Sequence, residues 1–515
     1  MFPVPEQPTI YDLLKLVAGK RGSKTYLRYK DCSLSFSELA RSVDDLAGFL
    51  YAQGINEGTK VAVMLPNSLN AVFTFFSLIR LGALQIPVNI NLRAEPLDYL
   101  FLHSKPDFVI ADNEYRVVLE KIQATPDPEH TFWCDENEPI GSGVENITDS
   151  PAIESDPDRI VSIMYTSGTT GPPKGVMVTD KMHRACAYSS AIVADVQAGD
   201  CLYLWEPVYH ITGTEVLILA LMYNVSIGMT ARFSASQFWS DVKKYQATHI
   251  HYVGGILQIL LRQPATDAEF NNTVRVAWGG GAPTGLWEAV ADRFQLTIRE
   301  NYGMTETSSL TTFNTDGKLG SVGRSAPYFE VSIFDGAGNS LPTGHSGEIW
   351  VKDRGARLIT PGYFENSAET SRAFFGDWFR TGDMGYLDED NYLYYTGRLK
   401  DSVRRRGENI SAWEIERVIS QLDYVEECAL IGVIDELEDE ELKLCIKIVT
   451  YHKPDPAAVF KYCDEKLPKF QVPRYINFVN EFEKTDTQRI KKERLSRRID
   501  DSFTRDPDGR LICPD

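Results

Sequence analysis

Eleven residues, Tyr165-Thr166-Ser167-Gly168-Thr169-Thr170-Gly171-Pro172-Pro173-Lys174-Gly175, constrain this chain more than any other stretch. They concentrate four Ser/Thr hydroxyls, three glycines and a lysine. An apolar run at 160–164 leads in and another at 176–178 leads out, so the segment reads as strand, loop, strand. Glycines let backbone N–H groups approach an anion closely, hydroxyls donate to phosphate oxygens, and the lysine adds a point charge. The segment therefore reads as a loop that grips a polyphosphate; an ordinary turn-rich surface hairpin does not gather so many donors. It is not a Walker A loop, because two prolines separate Gly171 from Lys174.

A chain of 515 residues is too long for one core, so two or more domains are expected. Its 43% hydrophobic and 24% charged content is that of a soluble globular protein. The net charge of −19 argues against sequence-independent nucleic-acid binding, which needs a basic face. The first residues lack a basic segment followed by an apolar one, so no signal peptide is expected. The richest apolar run, 71–88, is interrupted by Arg80 and reads as a buried helix leading to a strand; no membrane span is expected. Eight scattered cysteines without a C-x-x-C pair point to reduced thiols and a cytoplasmic setting. His249 and His251 alternate on an expected strand, and ordinary polar partners are favoured there over a metal.

Taken in order, residues 9–54 alternate helix and short strand, with a capping box from Ser35 to Glu38. A strand at 60–65, a helix at 68–81 and a strand at 84–88 make a βαβ unit, which implies a parallel sheet. A strand at 108–111 and a helix at 117–122 follow, and the Pro-, Asp- and Ser-rich stretch 124–158 reads as loop. Further elements are expected at 179–193, 201–205, 215–223, 238–245, 249–253, 274–278 and 296–300. Three motifs then fall beyond strand ends, where open α/β sheets bind ligands: the opening loop, Gly279-Gly280-Gly281, and Tyr302-Gly303-Met304-Thr305-Glu306. From 320 to 397 strands become short and alternating, as in an antiparallel barrel, and Asp388-Glu389-Asp390-Asn391 reads as a hairpin turn rather than a calcium loop. After Gly397-Arg398-Leu399-Lys400-Asp401 comes a mixed segment with helices at 412–422 and 457–466, a strand pair at 427–434 and 443–449, and an acidic loop at 435–441.

Five motifs, in this order, resemble those of the adenylate-forming superfamily of acyl-CoA synthetases, luciferases and peptide-synthetase adenylation domains. They are the opening loop, the triple glycine, the Tyr-Gly-Met-Thr-Glu turn, Thr381-Gly382-Asp383 and Gly397-Arg398-Leu399-Lys400-Asp401. With their flanks they span essentially the whole chain. Tyr302 to Thr307, Phe238-Trp239 and Lys469-Phe470-Gln471-Val472-Pro473 look most like the crotonobetaine/carnitine-CoA ligase branch. The resemblance implies an α/β fold: a large N-terminal domain (1–398) of two parallel-type α/β subdomains plus a β-barrel-like subdomain, a hinge (399–401) at Lys400, and a small mobile α+β C-terminal domain (402–515). It also implies a chemistry in which a small-molecule carboxylate attacks the α-phosphate of ATP, pyrophosphate leaves, and the thiol of coenzyme A takes the acyl group from acyl-AMP. Transfer to an amine or a carrier-protein thiol, or a weakly catalytic nucleotide-binding homologue, stays open, and a homodimer is compatible.

By the same resemblance Thr166, Ser167, Gly168, Thr169, Thr170 and Lys174 hold phosphates, and Glu306 is the Mg²⁺ ligand, a hard carboxylate for a hard cation. Thr305 contacts the α-phosphate, Tyr302 stacks on adenine, and Gly280, Gly281, Ala282 and Gly303 line the nucleotide cleft. Asp383 accepts from the ribose hydroxyls with Arg398 as companion. His210 lies where the acyl pocket meets the thiol channel, and Tyr209, Thr214, Trp278, Gly279, Gly303 and Met304 line that pocket, with Trp205 and Tyr252 near. Aromatics beside Glu206 or Glu215 suit a quaternary ammonium acid, and short, branched or aryl acids fit almost as well. Arg404-Arg405-Arg406 serve either CoA phosphates or a solvated turn. The chain departs from the family at its C-terminal Gly-Lys pair, which is Gln488-Arg489 here. Arg489, Lys491 or Lys492 takes the lysine's role, or the first half-reaction is altered.

Overall fold

The computed structural model describes residues 8–124, 127–135, 140–141, 150–151, 153–166, 172–282, 284–405, 408–434, 440–449, 453–485, 489–505 and 510–514. Two large sheets dominate the N-terminal part. The first has six strands in the order Thr131–Cys134, Phe108–Asp112, Lys60–Met64, Leu84–Pro87, Ile160–Thr166 and Lys174–Thr179. All neighbours are parallel except the last pair, a hairpin. The second has nine strands. It is parallel from Thr297–Tyr302 through Val276–Gly280, His249–Val253, Cys201–Leu204 and Ser226–Met229 to Thr25–Tyr29, and antiparallel at both ends.

The apolar pattern sets the layers. Strands such as Lys60–Met64 lie between helices and so read as nearly continuous hydrophobic runs. One core unites residues of both sheets with the helices Phe36–Ala52, Leu69–Leu81, Asp180–Val193 and Ile211–Met222. A second core covers the opposite face of the nine-stranded sheet with Phe238–Tyr245, Ile256–Arg262 and Trp287–Phe294. Caps fix where helices start. Ser35 Oγ accepts from the Glu38 N–H at 3.2 Å and Glu38 Oε2 accepts from the Ser35 N–H at 2.8 Å, a reciprocal box whose loss costs about 1 kcal/mol.

Beyond residue 320 the sheet is antiparallel: Phe329–Phe334, Gly347–Asp353, Trp378–Leu387 and Phe374–Phe375, with Leu393–Arg398 paired to Trp378–Leu387. The Asp388 turn is the expected hairpin; Asp388 Oδ1 accepts from the N–H groups of Asp390 and Tyr392 at 3.0 and 2.9 Å. A 3-10 turn, Leu399–Asp401, containing Lys400, leads to a five-stranded sheet of its own, packed by the helices Ala412–Ile419 and Pro456–Lys466. Most of the acidic loop expected at 435–441 lies outside the described residues. Among the described residues no helix is long and apolar enough to cross a membrane.

Several elements differ from expectation, among them the strand Ser226–Met229 and the helices Ile256–Arg262 and Trp287–Phe294, which the sequence reading lacks. The helix Ala94–Ser104, with Pro96 in its first turn, and the strand Thr131–Cys134 have no counterpart in the sequence reading. The strand sits inside a polar stretch and forms because Phe108–Asp112 offers it a parallel edge. The helix expected at 215–223 starts earlier, at Ile211, with Gly213 in its first turn. A Cβ there would stand 2.2 Å from the Pro207 carbonyl oxygen, so the tight turn entering this helix needs glycine.

Candidate functional site

The site is assembled where strand ends of both large sheets meet the antiparallel subdomain. In the hairpin, Thr166 pairs with Lys174 across the ladder; Ser167, Gly168, Thr169 and Thr170 lie outside the described residues. Lys174 Nζ is 2.5 Å from Glu369 Oε2 and 5.0 Å from the centre of the Tyr363 ring. Hydrogen bonds from Lys174 and Arg372 hold the Glu369 carboxyl below its usual range. The Lys174 charge also reaches Glu306.

Glu306 is buried, and its Oε1 accepts from the Tyr363 hydroxyl at 3.0 Å. Burial raises the proton affinity of this carboxyl, and the Tyr363 bond and Lys174 oppose the rise. The knot that presents it is strained. Ser308 and Ser309 both have positive φ (54° and 67°), and a Cβ on Gly303 would meet the Ser309 carbonyl oxygen at 1.8 Å. Such local strain persists where surrounding structure over-determines a site; here Ser308 Oγ donates to the Leu358 carbonyl at 2.6 Å. Thr305 and Met304 are half-buried at the mouth of the same turn.

Asp383 and Arg398 face each other across the ladder of Trp378–Leu387 and Leu393–Arg398, with Arg398 Nε 3.6 Å from Asp383 Oδ1. The Tyr302 hydroxyl donates to Asp383 Oδ2 at 2.8 Å, and the Tyr302 and Tyr395 rings lie 5.9 Å apart. Burial raises the Asp383 pKa, and Arg398, Tyr302 and Arg489 act against that rise. Arg489 thus lies within electrostatic reach of Asp383 although it comes from the C-terminal sheet region. By surface area it is an exposed residue, although desolvation acts on its guanidinium. That desolvation, and then the like charge of Arg398, lower its pKa, while Tyr395, Asp383 and Asp401 oppose the fall.

The other two cations proposed for the lysine's role are engaged elsewhere. Lys492 Nζ lies 2.7 Å from Glu416 Oε1 and Lys491 Nζ 2.6 Å from Glu483 Oε1. Arg405 pairs with Glu441 at 2.6 Å and donates to the Val472 carbonyl at 3.1 Å, so it faces the C-terminal core rather than solvent. Arg406 and Gln488 lie outside the described residues.

Around the expected acyl pocket, His210 precedes the Ile211–Met222 helix, its ring 5.3 Å from that of Tyr209. Burial, helped by Arg489, pushes the His210 imidazole down to about 4, so it is neutral at pH 7. The Thr214 hydroxyl donates to the Ile211 carbonyl at 3.0 Å and turns toward His183, at 3.4 Å, and hence into the core. Trp278 is fully buried with the His251 ring 5.0 Å away. Trp205 donates to the His251 carbonyl at 2.9 Å, and His251 Nδ1 bonds Glu206. The ring nitrogens of His249 meet Thr248 Oγ1 at 2.8 Å and the Ala194 carbonyl at 3.0 Å. Glu215 accepts from Cys186 Sγ at 2.7 Å and from Ser190 Oγ at 2.8 Å.

Sequence reading missed Tyr363, Glu369 and Glu300. Tyr363 follows Thr360-Pro361-Gly362, a turn signal that marks its place but not its partner, Glu306. Glu300 lies next to a recognised motif but reads there as an ordinary strand residue.

A model of the AMP-binding enzyme family matches residues 14–364, and one of the AMP-binding enzyme C-terminal domain matches residues 414–489. The crotonobetaine/carnitine–CoA ligase of Salmonella paratyphi B is 29% identical over 93% of this chain and 97% of its own length. O-succinylbenzoate Coenzyme A synthetase from Bacillus subtilis, solved with ATP and magnesium ion, superposes with a TM-score of 0.83. It is 25% identical, with 95% of this chain and 100% of that chain covered. ATP-bound MatB from Rhodopseudomonas palustris gives a TM-score of 0.83 at 25% identity, covering 94% of this chain and 97% of its own.

Proposed function

Because this chain belongs to the AMP-binding enzyme family, we propose that it is an AMP-forming acid–CoA ligase. It would join a small carboxylic acid to AMP, using ATP, and then pass the acyl group to coenzyme A. The observation that carries this reading is the convergence of Tyr302, Asp383, Glu306 and Lys174 with Arg489, delivered from the far side of the 399–401 turn. We take 1–398 as the body, 399–401 with Lys400 as the hinge and 402–515 as the lid.

In this reading Asp383, held by Tyr302 and Arg398, accepts from the ribose hydroxyls. Lys174 and the hydroxyls of 166–170 face the outer phosphates. Thr305 faces the α-phosphate. Tyr302 flanks the adenine with Gly280, Gly281, Ala282 and Gly303. Glu306 suits Mg²⁺, which binds through one or two carboxylates plus substrate phosphates; its burial disfavours a bare negative charge there, and a bound cation would compensate it. When bound, the ion supplies charge neutralisation for the phosphates. Arg489 places a guanidinium where the acid carboxylate and the α-phosphate must approach one another, the point at which like charges otherwise repel. His210, neutral at pH 7, lines the junction of the acyl and thiol approaches without adding charge.

For the acid itself, we infer a neutral side chain in preference to a quaternary ammonium. Glu215 is turned to Cys186 and Ser190, and Glu206, although its Oε2 lacks a hydrogen-bond partner among the described residues, bonds His251 through Oε1, so His251 competes with any cation in the pocket for that carboxylate. Release of AMP from ATP and CoA, measured over a panel of carboxylic acids including betaines, tests both points. Acid-dependent AMP release with CoA supports the ligase; its absence with every acid overturns it. A betaine outperforming neutral acids of equal size overturns the pocket reading alone.

A further inference from the structure

The turn 279–282 has no side chain larger than a methyl with which to hold itself in place. Gly279 has φ +157°, and a Cβ there would stand 1.8 Å from the Tyr252 carbonyl oxygen; Gly281 has φ +94° and packs against Gly254. A glycine-rich turn of this kind has high conformational entropy when free, so something outside it must fix its shape.

Glu300 does so from the neighbouring strand. It is buried on Thr297–Tyr302, opposite Gly279 in the ladder. Its Oε1 accepts from the N–H groups of Gly281 at 2.5 Å and Ala282 at 3.2 Å. Its Oε2 accepts from the Tyr252 hydroxyl at 2.5 Å. One carboxylate therefore fastens the carboxyl ends of three adjacent strands, His249–Val253, Val276–Gly280 and Thr297–Tyr302. We propose that Glu300 is a positioning residue for nucleotide binding, holding the turn 279–282 in the shape that receives the adenosine part of ATP. This rests on the reading above that the turn faces the nucleotide.

The charge on Glu300 is part of the device, because amide bonds to a carboxylate are roughly twice as strong as those to a neutral oxygen. Burial raises its pKa to about 7, against the pull of Tyr252 and the two amides. Of the groups facing it, Tyr252 keeps its proton, since burial and the Glu300 charge hold its pKa well above the usual phenol value, and from the 279–282 turn the facing groups are backbone amides. Between about pH 5.5 and 8.5, by these values, Glu300 is the member of this set that changes charge. Glu300→Gln fits the same space: its amide oxygen can still accept from Gly281 and Ala282, and the Tyr252 hydroxyl can turn to the Arg299 carbonyl, 3.2 Å away.

The test compares equilibrium ATP binding by the full-length protein and by Glu300→Gln as pH is varied. Taking the ratio of the two dissociation constants cancels the titration of ATP itself. The ratio is expected to be about three- to tenfold at about pH 8.5 and to fall toward one at about pH 5.5. A ratio that does not change with pH overturns the role of the charge. Amide hydrogen exchange at 280–282 in Glu300→Ala, with melting temperature as the folding control, tests positioning without nucleotide. Faster exchange confined to the turn supports it, and unchanged exchange overturns it. Failure of both proteins to bind ATP at any pH would instead overturn the nucleotide reading.

Discussion

Two arms bring positive charge to this site, and they are built oppositely. Lys174 stands on a hairpin of the six-stranded sheet and is already neutralised by Glu369 at 2.5 Å. Arg489 comes from the C-terminal domain, and the like charge of Arg398 acts on it. The first arm is stable before any ligand binds. In the second, two like charges, Arg398 and Arg489, both act on Asp383, and an incoming anion would relieve the repulsion between them. Under the proposed function, this contrast would give grip to the hairpin and chemistry to the C-terminal arm, since an interaction that strengthens only as the reacting groups meet lowers the barrier.

The largest effect expected from breaking this contrast is at Arg489. Arg489→Ala should cut acid-dependent ATP–pyrophosphate exchange by about 10²–10³, the usual loss for one preorganised donor at a developing charge. Lys174→Ala should act mainly on affinity, raising the KM for ATP about tenfold, because the lysine gives up a neutral pair to bind phosphate. Arg262→Ala probes how the C-terminal arm is held. Arg262 donates to the Val425 and Glu426 carbonyls at 2.5 Å each, so its loss should slow exchange about three- to tenfold while leaving KM for ATP unchanged. Glu369→Gln should tighten ATP about two- to fivefold by freeing Lys174 from a surface pair. Smallest is the pH effect of His210. Its pKa is pushed down to about 4, so the neutral form persists as pH falls, and protonation begins only near pH 5. A pH–rate profile that keeps an inflection near about 6.5, the ordinary imidazole value, in the wild type and loses it in His210→Asn would contradict this.

Much of the fold was legible because its signals are local. The capping box at Ser35, the βαβ run at 60–87 and the alternating strands after 320 each carry their own periodicity. The strand Thr131–Cys134 was not legible, because its pairing edge supplies what its polar surroundings do not. The site divides the same way. Tyr302, Glu306 and Asp383 lie in motifs that can be read in order, whereas Glu369 and Tyr363 matter only through partners far off in the chain, Lys174 and Glu306. The choice among Arg489, Lys491 and Lys492 was equally closed to sequence. All three are cations in one short run, and only the placement of Glu416 and Glu483 tells which are occupied.

Separating the half-reactions tests that choice most directly. Arg489→Ala and Lys492→Ala would each be assayed for pyrophosphate exchange and, separately, for CoA-dependent consumption of a synthetic acyl-AMP. Arg489→Ala should lose exchange and keep the second step. Lys492→Ala should keep exchange and lose roughly 1–3 kcal/mol of stability by leaving the half-buried Glu416 carboxylate without its cation. Loss of exchange in Lys492→Ala with exchange retained in Arg489→Ala would contradict the account.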